Sequence, residues 1–401
     1  MASYTKVKAN NKQGYKWVCT LEGPPDPITG KRKQIPRRGD TQKEAFARAQ
    51  KVLDDLTKHG VDEKKVKNLT FEEVALDWLK NYPKTKKVKE RTVNVRRSEI
   101  KTILKYYAKV KINKLTHHHH QGMLNHLDEC GYSYSTMNGV HITANMIMKY
   151  AIKHRMRTDN PFVDTVIPVK LLTVEEIEKD PIVEKILERH ELEEFFHVVK
   201  EHGLPMDMEI FHLLAFSGLR SGELCALKDT DFFFESNEIR VTKTLYNPKN
   251  NMREYKLTPP KTTGSIRRFD VIDTVMRSVE SLLERKRPQR AAARKHLDGY
   301  HDEHFVFARD NGYPFLPKNI LDRMDRLLLK TSIKKRATPH IFRHTHVSML
   351  AEAEVDLKTI MERVGHDDAK TTLKIYTHVT QNMKKNATEK LMKHFSNILQ
   401  F

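Results

Sequence analysis

The feature that most constrains this chain is a spaced series of cationic side chains that ends in a tyrosine. In chain order the series reads Arg220, Lys261, His340, Arg343, His366 and Tyr376. Two arginines, a lysine and two histidines can surround a phosphodiester, since a guanidinium keeps its charge and donates in a bidentate fork. A tyrosine hydroxyl can then attack the phosphorus as a nucleophile. The series therefore indicates phosphoryl transfer.

Four short segments carry five of these six residues in a fixed order. They read Ser217-Gly218-Leu219-Arg220-Ser221-Gly222-Glu223-Leu224, Thr338-Pro339-His340-Ile341-Phe342-Arg343-His344-Thr345, Val364-Gly365-His366 and Ile375-Tyr376-Thr377-His378. Together they resemble the catalytic boxes of the tyrosine recombinase (lambda-type integrase) family. The resemblance spans nearly the whole chain and is strongest from Ile186 onward. Phe342 and Val364 stand where leucine is common in that family.

The resemblance implies direct transesterification of DNA through a 3′-phosphotyrosine bond, with neither ATP nor a metal ion. Tyr376 would attack the scissile phosphate, and His340 would accept its proton. Lys261 would protonate the leaving 5′-hydroxyl from a mobile β-hairpin, although Lys243 and Lys256 are neighbouring candidates. A free tyrosine has a pKa near ~10, so the attack needs a base and surrounding cations.

The same resemblance gives Arg220 and Arg343 the role of stabilising the pentavalent transition state, with a hydrogen bond from His366. The small residues Gly218 and Gly222 flank Arg220 and suggest close approach of a DNA backbone. Glu223 lies three residues after Arg220 and can hold it in place on one helical face. Taken alone, this first box would better fit a surface ion pair between Arg220 and Glu223.

Metal chemistry is the main alternative for the histidines. The run from His117 to His120 lacks the two-histidine spacing with a carboxylate that marks a built site. His340 and His344 have zinc-like spacing, but Ile341 occupies the position where a zincin has glutamate. We therefore expect no metal site and no cofactor.

The charge balance points to a polyanionic partner. The chain has 72 Lys plus Arg against 52 Asp plus Glu, a net charge of +20. Its mean hydropathy is −0.64, and no apolar run reaches membrane-spanning length, so double-stranded DNA is favoured over a membrane. Three widely spaced cysteines and the absence of an N-terminal apolar segment predict a cytoplasmic protein, associated with the nucleoid of a bacterial host.

We predict a multidomain, mainly α-helical fold with small β-sheets. Residues 1–64 would form a small sheet-plus-helix domain, with strands near 4–9, 15–21 and 31–35, a turn at Thr29-Gly30 and a helix capped by Thr41. The layout resembles an arm-type DNA-binding domain. The residues expected to contact DNA in it are Lys6, Lys8, Lys16, Trp17, Lys31, Arg32 and Lys33.

Residues 65–165 would form an all-α, SAM-like core-binding domain, whose first helix is capped by Thr70 and Glu73. Its expected phosphate contacts are Lys86, Lys87, Arg91 and Arg96. An apolar stripe on its last helix, Met137, Ile142, Met146 and Met148, is expected in the core. Residues 166–185 would be a linker.

Residues 186–401 would form a mixed α+β catalytic domain with a C-terminal tail. Strands are predicted near 237–245, 252–257 and 266–272, and helices before Gly365 and around Tyr376. Apolar residues at helical spacing in the tail would pack within their own domain or dock onto a neighbouring protomer.

Two other functions share parts of this pattern. A type IB topoisomerase would use similar chemistry on one strand, but the N-terminal domain and the Gly365-His366 box argue against it. A non-catalytic architectural DNA-binding protein would not need Tyr376, Arg220 and Arg343 together. The resemblance thus implies an integrase of a temperate phage or mobile element, acting as a homotetramer on core-type and arm-type attachment sites. An excisionase and a host DNA-bending protein are its expected partners.

Overall fold

The computed structural model describes residues 2–11, 13–25, 32–59, 68–86, 88–170, 183–260, 263–365 and 372–380. Contacts divide the chain into two compact units, Met1–Leu171 and Leu172–Phe401. Within the first unit two separate hydrophobic clusters form, one under the N-terminal sheet and one among the helices that follow. In the described parts of the chain no helix is long and apolar enough to cross a membrane.

The N-terminal sheet is antiparallel and its strands follow chain order: β1 (Ser3–Lys8), β2 (Tyr15–Pro25) and β3 (Arg32–Gly39). Helix α1 (Gln42–His59) packs on one face, where Cys19 and Leu21 meet Ala45 and Ala49. The Thr41 hydroxyl accepts the Glu44 N–H at 3.2 Å, which confirms the predicted cap. The predicted turn at Thr29-Gly30 lies outside the described residues.

Four helices follow in the first unit: α2 (Phe71–Lys86), α3 (Glu90–Tyr107), α4 (His117–Glu129) and α5 (Tyr134–Lys153). The Glu73 carboxylate accepts the Thr70 N–H at 2.8 Å, so the predicted capping box forms. The predicted stripe on α5 is wrong at Ile142, which is 40% exposed, whereas Met137 and Met148 are buried. At 3.6 residues per turn, Ile142 falls on the far side of the helix from Met137.

The second unit alternates helices with two small sheets. In order it contains α6 (Arg189–His202), α7 (Asp207–Ser217), α8 (Ser221–Leu224), β4 (Phe232–Phe233), β5 (Glu238–Val241), β6 (Thr244–Tyr246), β7 (Lys256–Thr258), β8 (Arg267–Asp270), α9 (Asp273–His296), α10 (Pro317–Leu328), α11 (His340–Glu352), α12 (Leu357–Val364) and α13 (372–380). Its main core contains buried side chains from α7, such as Phe211 and Leu214, together with Phe195 of α6 and Phe342 of α11.

The strand predicted over 237–245 is in fact two strands in different sheets. β5 pairs with β4 and β8, whereas β6 forms a hairpin with β7. Lys243 lies at the break, where its ammonium pairs with the buried carboxylate of Asp231. Residues 252–254, which were expected to begin the second strand, form a 3₁₀ turn instead. The chain between β7 and β8 carries Lys261, which lies outside the described residues.

Candidate active site

Arg220 is fixed by the sharp turn between two helices. Helix α7 ends at Gly218 in the left-handed conformation (φ 63°), and Arg220 is the N-cap of α8. Its Nη1 donates to Glu223 Oε1 at 2.7 Å, and its own N–H donates to Oε2 at 3.1 Å. Its side chain is 35% exposed, so the other edge of the guanidinium can still meet a ligand.

Glu223 is the buried centre of this arrangement, with only 2% of its side chain exposed. Its Oε2 also accepts Arg267 Nη2 at 3.0 Å, so the carboxylate lies between two guanidinium groups. Burial on its own raises the pKa of Glu223, but Arg267 and then Arg220 outweigh it and lower the pKa below its usual range. The surface ion pair considered from the first box is therefore a buried one.

The two glycines beside Arg220 pack closely against other parts of this unit, and the expected approach of a DNA backbone stays a prediction. A Cβ on Gly218 would lie 2.9 Å from the His346 ring. One on Gly222 would lie 2.7 Å from the Thr244 hydroxyl on β6. Both distances are too short for real side-chain contacts, so glycine is needed at both positions for the packing of this unit.

Arg343 projects from the first turn of α11 and is fully buried. Its Nη1 donates to the Gly218 carbonyl at 2.6 Å, and its Nη2 donates to the Val364 carbonyl. Burial and then the nearby Arg220 lower the pKa of Arg343. The side chain thus connects the first box, the second box and the end of α12.

At the carboxyl end of α12, three successive carbonyls each accept a hydrogen bond from a different arginine. Arg267 Nε donates to Arg363 O at 2.8 Å, Arg343 Nη2 donates to Val364 O, and Arg220 Nη2 donates to Gly365 O at 3.3 Å. Unpaired carbonyls at a helix C-terminus carry partial negative charge, which cations stabilise. Gly365 then reverses the chain with φ 67°, immediately before His366. His366 itself lies outside the described residues.

His340 begins α11 and stands next to His344, with ring centroids 4.6 Å apart. Burial lowers the pKa of His340 to about 4, followed by the effects of His344 and Arg343, although more than a third of the residue is exposed. The imidazole of His340 is therefore neutral at neutral pH. The buried Nδ1 of His344 has no hydrogen-bond partner among the residues that the structure describes.

Two residues important to this arrangement were not singled out from the sequence. His346 is buried, its Nδ1 lies 3.0 Å from the Ala215 carbonyl, and burial lowers its pKa to about 3. Arg267 is the second, with an almost fully buried guanidinium. Alternation along β8 could have placed Arg267 and Phe269 on one face, but only the register with β5 shows which face is buried.

Tyr376 lies half-buried on α13, against a small cluster formed by α11, α12 and α13. Ile375 and Val379 anchor that helix in the cluster beside Val347 and Val364. The helix predicted around Tyr376 is described over residues 372–380, and the residues just before it lie outside the described part of the chain. The apolar residues of the tail after residue 380 also lie outside them.

The expected DNA contacts of the N-terminal sheet lie on two different faces. Register pairs Lys6 with Trp17 and Lys8 with Tyr15, on the face that α1 covers. The Lys6 ammonium lies 4.4 Å from the Tyr15 ring centroid and 4.9 Å from that of Trp17. The Lys6 ammonium and the rings of Tyr15 and Trp17 therefore contact one another within the protein.

The opposite face of the sheet carries Lys16, Arg32 and Arg38, all on alternating positions that point away from α1. Arg32 and Arg38 are exposed, and Lys16 pairs with exposed Asp40 at 3.6 Å. Arg38 was not among the selected contacts. Lys31 lies outside the described residues, as does the side chain of Lys33.

The expected DNA contacts in the helical part differ in whether their side chains are exposed or already bonded to other protein groups. Arg91 is exposed on α3. Arg96 is only 17% exposed, and its Nη1 donates to Glu99 at 2.8 Å and to the Thr143 hydroxyl at 2.9 Å. Its present role is to join α3 to α5, because these bonds occupy the group that would meet phosphate. The side chain of Lys86 and the whole of Lys87 lie outside the described residues.

The histidine run His117 to His120 begins α4, and its last residue, His120, belongs to a buried hydrogen-bond network. His120 Nδ1 lies 3.0 Å from the Tyr107 hydroxyl, and its Nε2 lies 3.0 Å from His141 Nδ1. Burial, followed by His141, lowers the pKa of His120 to about 3. Among the described residues no group of three or more His, Cys, Asp or Glu side chains is arranged to hold a metal ion.

Comparison with known proteins gives two matching family descriptions. Residues 185–383 match the phage integrase family, and residues 70–127 match the phage integrase N-terminal SAM-like domain. The chain is 30% identical over 377 residues to the prophage ps2 probable integrase of Lactococcus lactis, covering 92% of this chain and 95% of that one. It is 29% identical to the integrase of Staphylococcus phage L54a, covering 87% and 99%.

Solved structures share the fold at lower identity. The Tn1549 transposon integrase with transposon right-end DNA matches at 22% identity and a TM-score of 0.64, covering 80% of this chain and 99% of that one. A lambda integrase dimer bound to a COC′ core site matches at 16% identity and a TM-score of 0.56, covering 92% and 94%. The solved structures show a shared fold, and the family match with the 30% identical relative establishes that the chain belongs to the phage integrase family and is a tyrosine-type site-specific recombinase.

Proposed function

We propose that this protein integrates and excises a phage or mobile element by cutting and rejoining DNA through a 3′-phosphotyrosine intermediate on Tyr376. The observation that carries the proposal is the convergence of Arg220 and Arg343, from separate boxes, on one turn of the second unit. A chain that needed these arginines only for stability would not bury one charge completely beside another, since such burial is costly. Preorganised cations of this kind are what a developing phosphorane requires.

In the proposed reaction the Tyr376 oxygen forms the bond to phosphorus while the bond to the 5′-oxygen breaks. Arg220 and Arg343 bind the non-bridging oxygens, and His366 donates a further hydrogen bond. Lys261 gives a proton to the 5′-oxygen, and His340, which is neutral at working pH, accepts the proton of Tyr376. The 5′-hydroxyl of a partner strand then reverses the steps, so the bond energy is kept in the adduct.

The scissile phosphate would compete for guanidinium groups that also hold the end of α12. Arg343 Nη2 and Arg220 Nη2 donate to the Val364 and Gly365 carbonyls. Phosphate oxygens carry more charge than carbonyl oxygens and form shorter, stronger hydrogen bonds with guanidinium. Binding of the scissile phosphate therefore competes with the end of α12 and can shift the segment that leads to His366 and Tyr376.

We propose that residues 1–64 bind arm-type DNA and residues 65–165 bind core-type DNA, with residues 166–185 linking them to the catalytic domain. In the N-terminal sheet the face opposite α1 supports this best, because Arg32 and Arg38 are exposed on it and α1 does not cover it. Lys16, Arg32 and Arg38 then meet phosphates from one flat surface. Lys6 and Lys8 lie on the face that α1 covers, so they would contact DNA only at the edge of that face.

The proposal includes assembly as a homotetramer on paired sites, with the C-terminal tail docked on a neighbouring protomer. An excisionase and a host DNA-bending protein would set the direction of recombination. The bacterial cytoplasm, on the nucleoid, is where such DNA substrates occur. Relatives named as prophage and phage integrases support a mobile element as the source of the substrate.

A nicked suicide substrate tests the chemistry. The wild-type protein should form a covalent DNA adduct that survives denaturing electrophoresis, and it should do so in EDTA. Tyr376→Phe should bind the same DNA and give no adduct, because only the nucleophilic oxygen is removed. Tyr246→Phe, a tyrosine on β6, serves as the matched control and should behave like the wild type. An adduct formed by the Tyr376 variant, or a strict need for added metal, would refute the proposal.

A further inference from the structure

The first residue of β8 is an arginine that contacts three segments of the proposed active site. Arg267 Nη2 donates to Glu223 Oε2 at 3.0 Å, its Nη1 to Ser265 O at 3.1 Å, and its Nε to Arg363 O at 2.8 Å. All three nitrogens that a guanidinium offers are thus engaged with separate segments. Only 5% of the side chain is exposed, so it is not itself a contact for DNA.

Each of these three partners leads directly to a residue of the proposed reaction. Glu223 holds Arg220, Ser265 ends the turn that follows Lys261, and Arg363 is followed by the turn into His366. We propose that Arg267 is a positioning residue of the recombinase reaction, which fixes these three segments relative to one another. This inference rests on the proposed function of the site.

The backbone around Arg267 is packed closely enough to transmit its position. A Cβ on Gly365 would lie 3.1 Å from Ser265 Cα, 3.2 Å from the Gly264 carbonyl and 3.3 Å from Arg267 Cδ. The Ser265 hydroxyl also donates to the Gly365 carbonyl at 3.3 Å. The turn after Lys261 and the turn before His366 are therefore in direct contact, with the Arg267 side chain along the seam.

Removal of Arg267 has a defined electrostatic consequence. Glu223 faces Arg220 on its own helix, Arg267 on β8, and Arg343 and His340 on α11. Without Arg267, one of the two groups that lower the pKa of Glu223 is lost, while burial continues to raise it. A protonated Glu223 holds Arg220 less firmly, so the activity of the variant should fall more steeply than that of the wild type as pH is lowered.

The test compares Arg267→Ala and Arg267→Lys with the wild type in the full-length chain, using the nicked substrate. We expect Arg267→Ala to lower single-turnover cleavage at least about tenfold, while the DNA dissociation constant changes less than about twofold. Added guanidinium in the tens of millimolar should restore part of the Ala variant's rate. Arg267→Lys should fall between the two, because an ammonium can pair with Glu223 but cannot reach three acceptors in one plane.

Arg268→Ala is the matched control, since Arg268 is exposed on the other face of β8 and pairs with Glu238. It should cleave at the wild-type rate and show no response to guanidinium. If Arg267→Ala fails to fold, Arg267→Lys provides the test. An Arg267→Lys variant with the cleavage rate and pH dependence of the wild type would overturn the inference. It would also be overturned if cleavage, affinity and thermal stability fell in parallel without rescue, as for a residue of structural role alone.

The outcome separates this inference from the function on which it rests. A wild-type adduct that depends on Tyr376, together with an Arg267→Ala variant of wild-type rate and pH profile, refutes only the positioning role. An adduct that persists in Tyr376→Phe refutes the proposed chemistry, whatever the Arg267 variants do.

Discussion

The cations of the N-terminal sheet and the arginines of the second unit are the same kinds of side chain in opposite surroundings. Arg32 and Arg38 are exposed, whereas Arg343 and Arg267 are buried and donate to carbonyls and a carboxylate. Exposed cations remain hydrated, and salt screens them, so they contribute affinity. Buried cations are already desolvated and oriented, so they can contribute to the rate of a charged transition state. The comparison teaches that net charge alone does not reveal which cations act in catalysis.

The largest effect should come from the two arginines of the candidate active site. Arg220→Ala and Arg343→Ala should each lower the cleavage rate by at least about a hundredfold, the scale of one lost electrostatic donor. Affinity should change little, because other phosphate contacts remain. Arg277→Ala is a suitable control, since Arg277 is 75% exposed on α9. Single-turnover cleavage beside gel-shift titration measures both quantities, and wild-type cleavage by either variant would remove that residue from the site.

Arg343→Ala should also reduce stability, because it leaves the Gly218 and Val364 carbonyls without this donor. The expected loss is about 1–3 kcal/mol in the free energy of unfolding. Arg343→Lys is therefore a useful companion, since it keeps a charge in the same place. A slow, stable Lys variant would separate the effect on rate from the effect on folding.

A smaller effect should distinguish the two faces of the sheet. The Lys16→Ala/Arg38→Ala double variant should weaken binding to arm-type DNA about tenfold and lower the salt dependence by roughly two released counterions. Lys6→Ala/Lys8→Ala, on the face that α1 covers, should have less effect, and both should cleave a core-only substrate normally. The measurement is titration at several salt concentrations. Greater loss from the Lys6/Lys8 pair would reverse our assignment of the DNA face.

The smallest effect concerns acid stability in the first unit. The pKa of His120 is about 3 in the fold, against 6.5 as the ordinary value, so folding requires the neutral form. Its contribution is fully present above pH ~6.5 and is lost as pH falls, by up to about 1.4 kcal/mol per pH unit. His120→Gln should therefore lose less stability than the wild type between about pH 7.5 and about pH 5.5 in urea unfolding.

His118→Gln changes an exposed histidine of the same run and should follow the wild type. The same acid response in His120→Gln and the wild type would show that the buried network does not titrate on unfolding.

Local signals in the sequence were enough for most of the helices. The caps at Thr41 and Thr70 and the left-handed Gly365 depend on neighbouring residues only, so they could be predicted. The boxes around Arg220 and Arg343 were also recognisable, because their residue types and order are unusual. Their roles in catalysis stay predictions until the variants are measured.

Features that depend on long-range pairing could not be predicted in the same way. Arg267 and Arg268 are adjacent and chemically identical, and only the register of β8 with β5 buries the first and exposes the second. Similarly, Lys6 and Lys16 have the same residue type, but strand pairing puts them on opposite faces. The burial of Glu223 also needed the fold, since its partner Arg267 comes from a distant strand.

We expect the arginines of the candidate active site to determine the rate of cleavage, whereas the cations on the uncovered face of the sheet determine affinity for DNA. The most direct test measures binding and single-turnover cleavage together, on one nicked DNA carrying arm and core sites, for Arg220→Ala and for Lys16→Ala/Arg38→Ala. Arg220→Ala should bind normally and cleave at least about a hundredfold more slowly. Lys16→Ala/Arg38→Ala should bind about tenfold more weakly yet cleave normally once bound at saturation. Parallel loss of affinity and rate in both variants would contradict the claim.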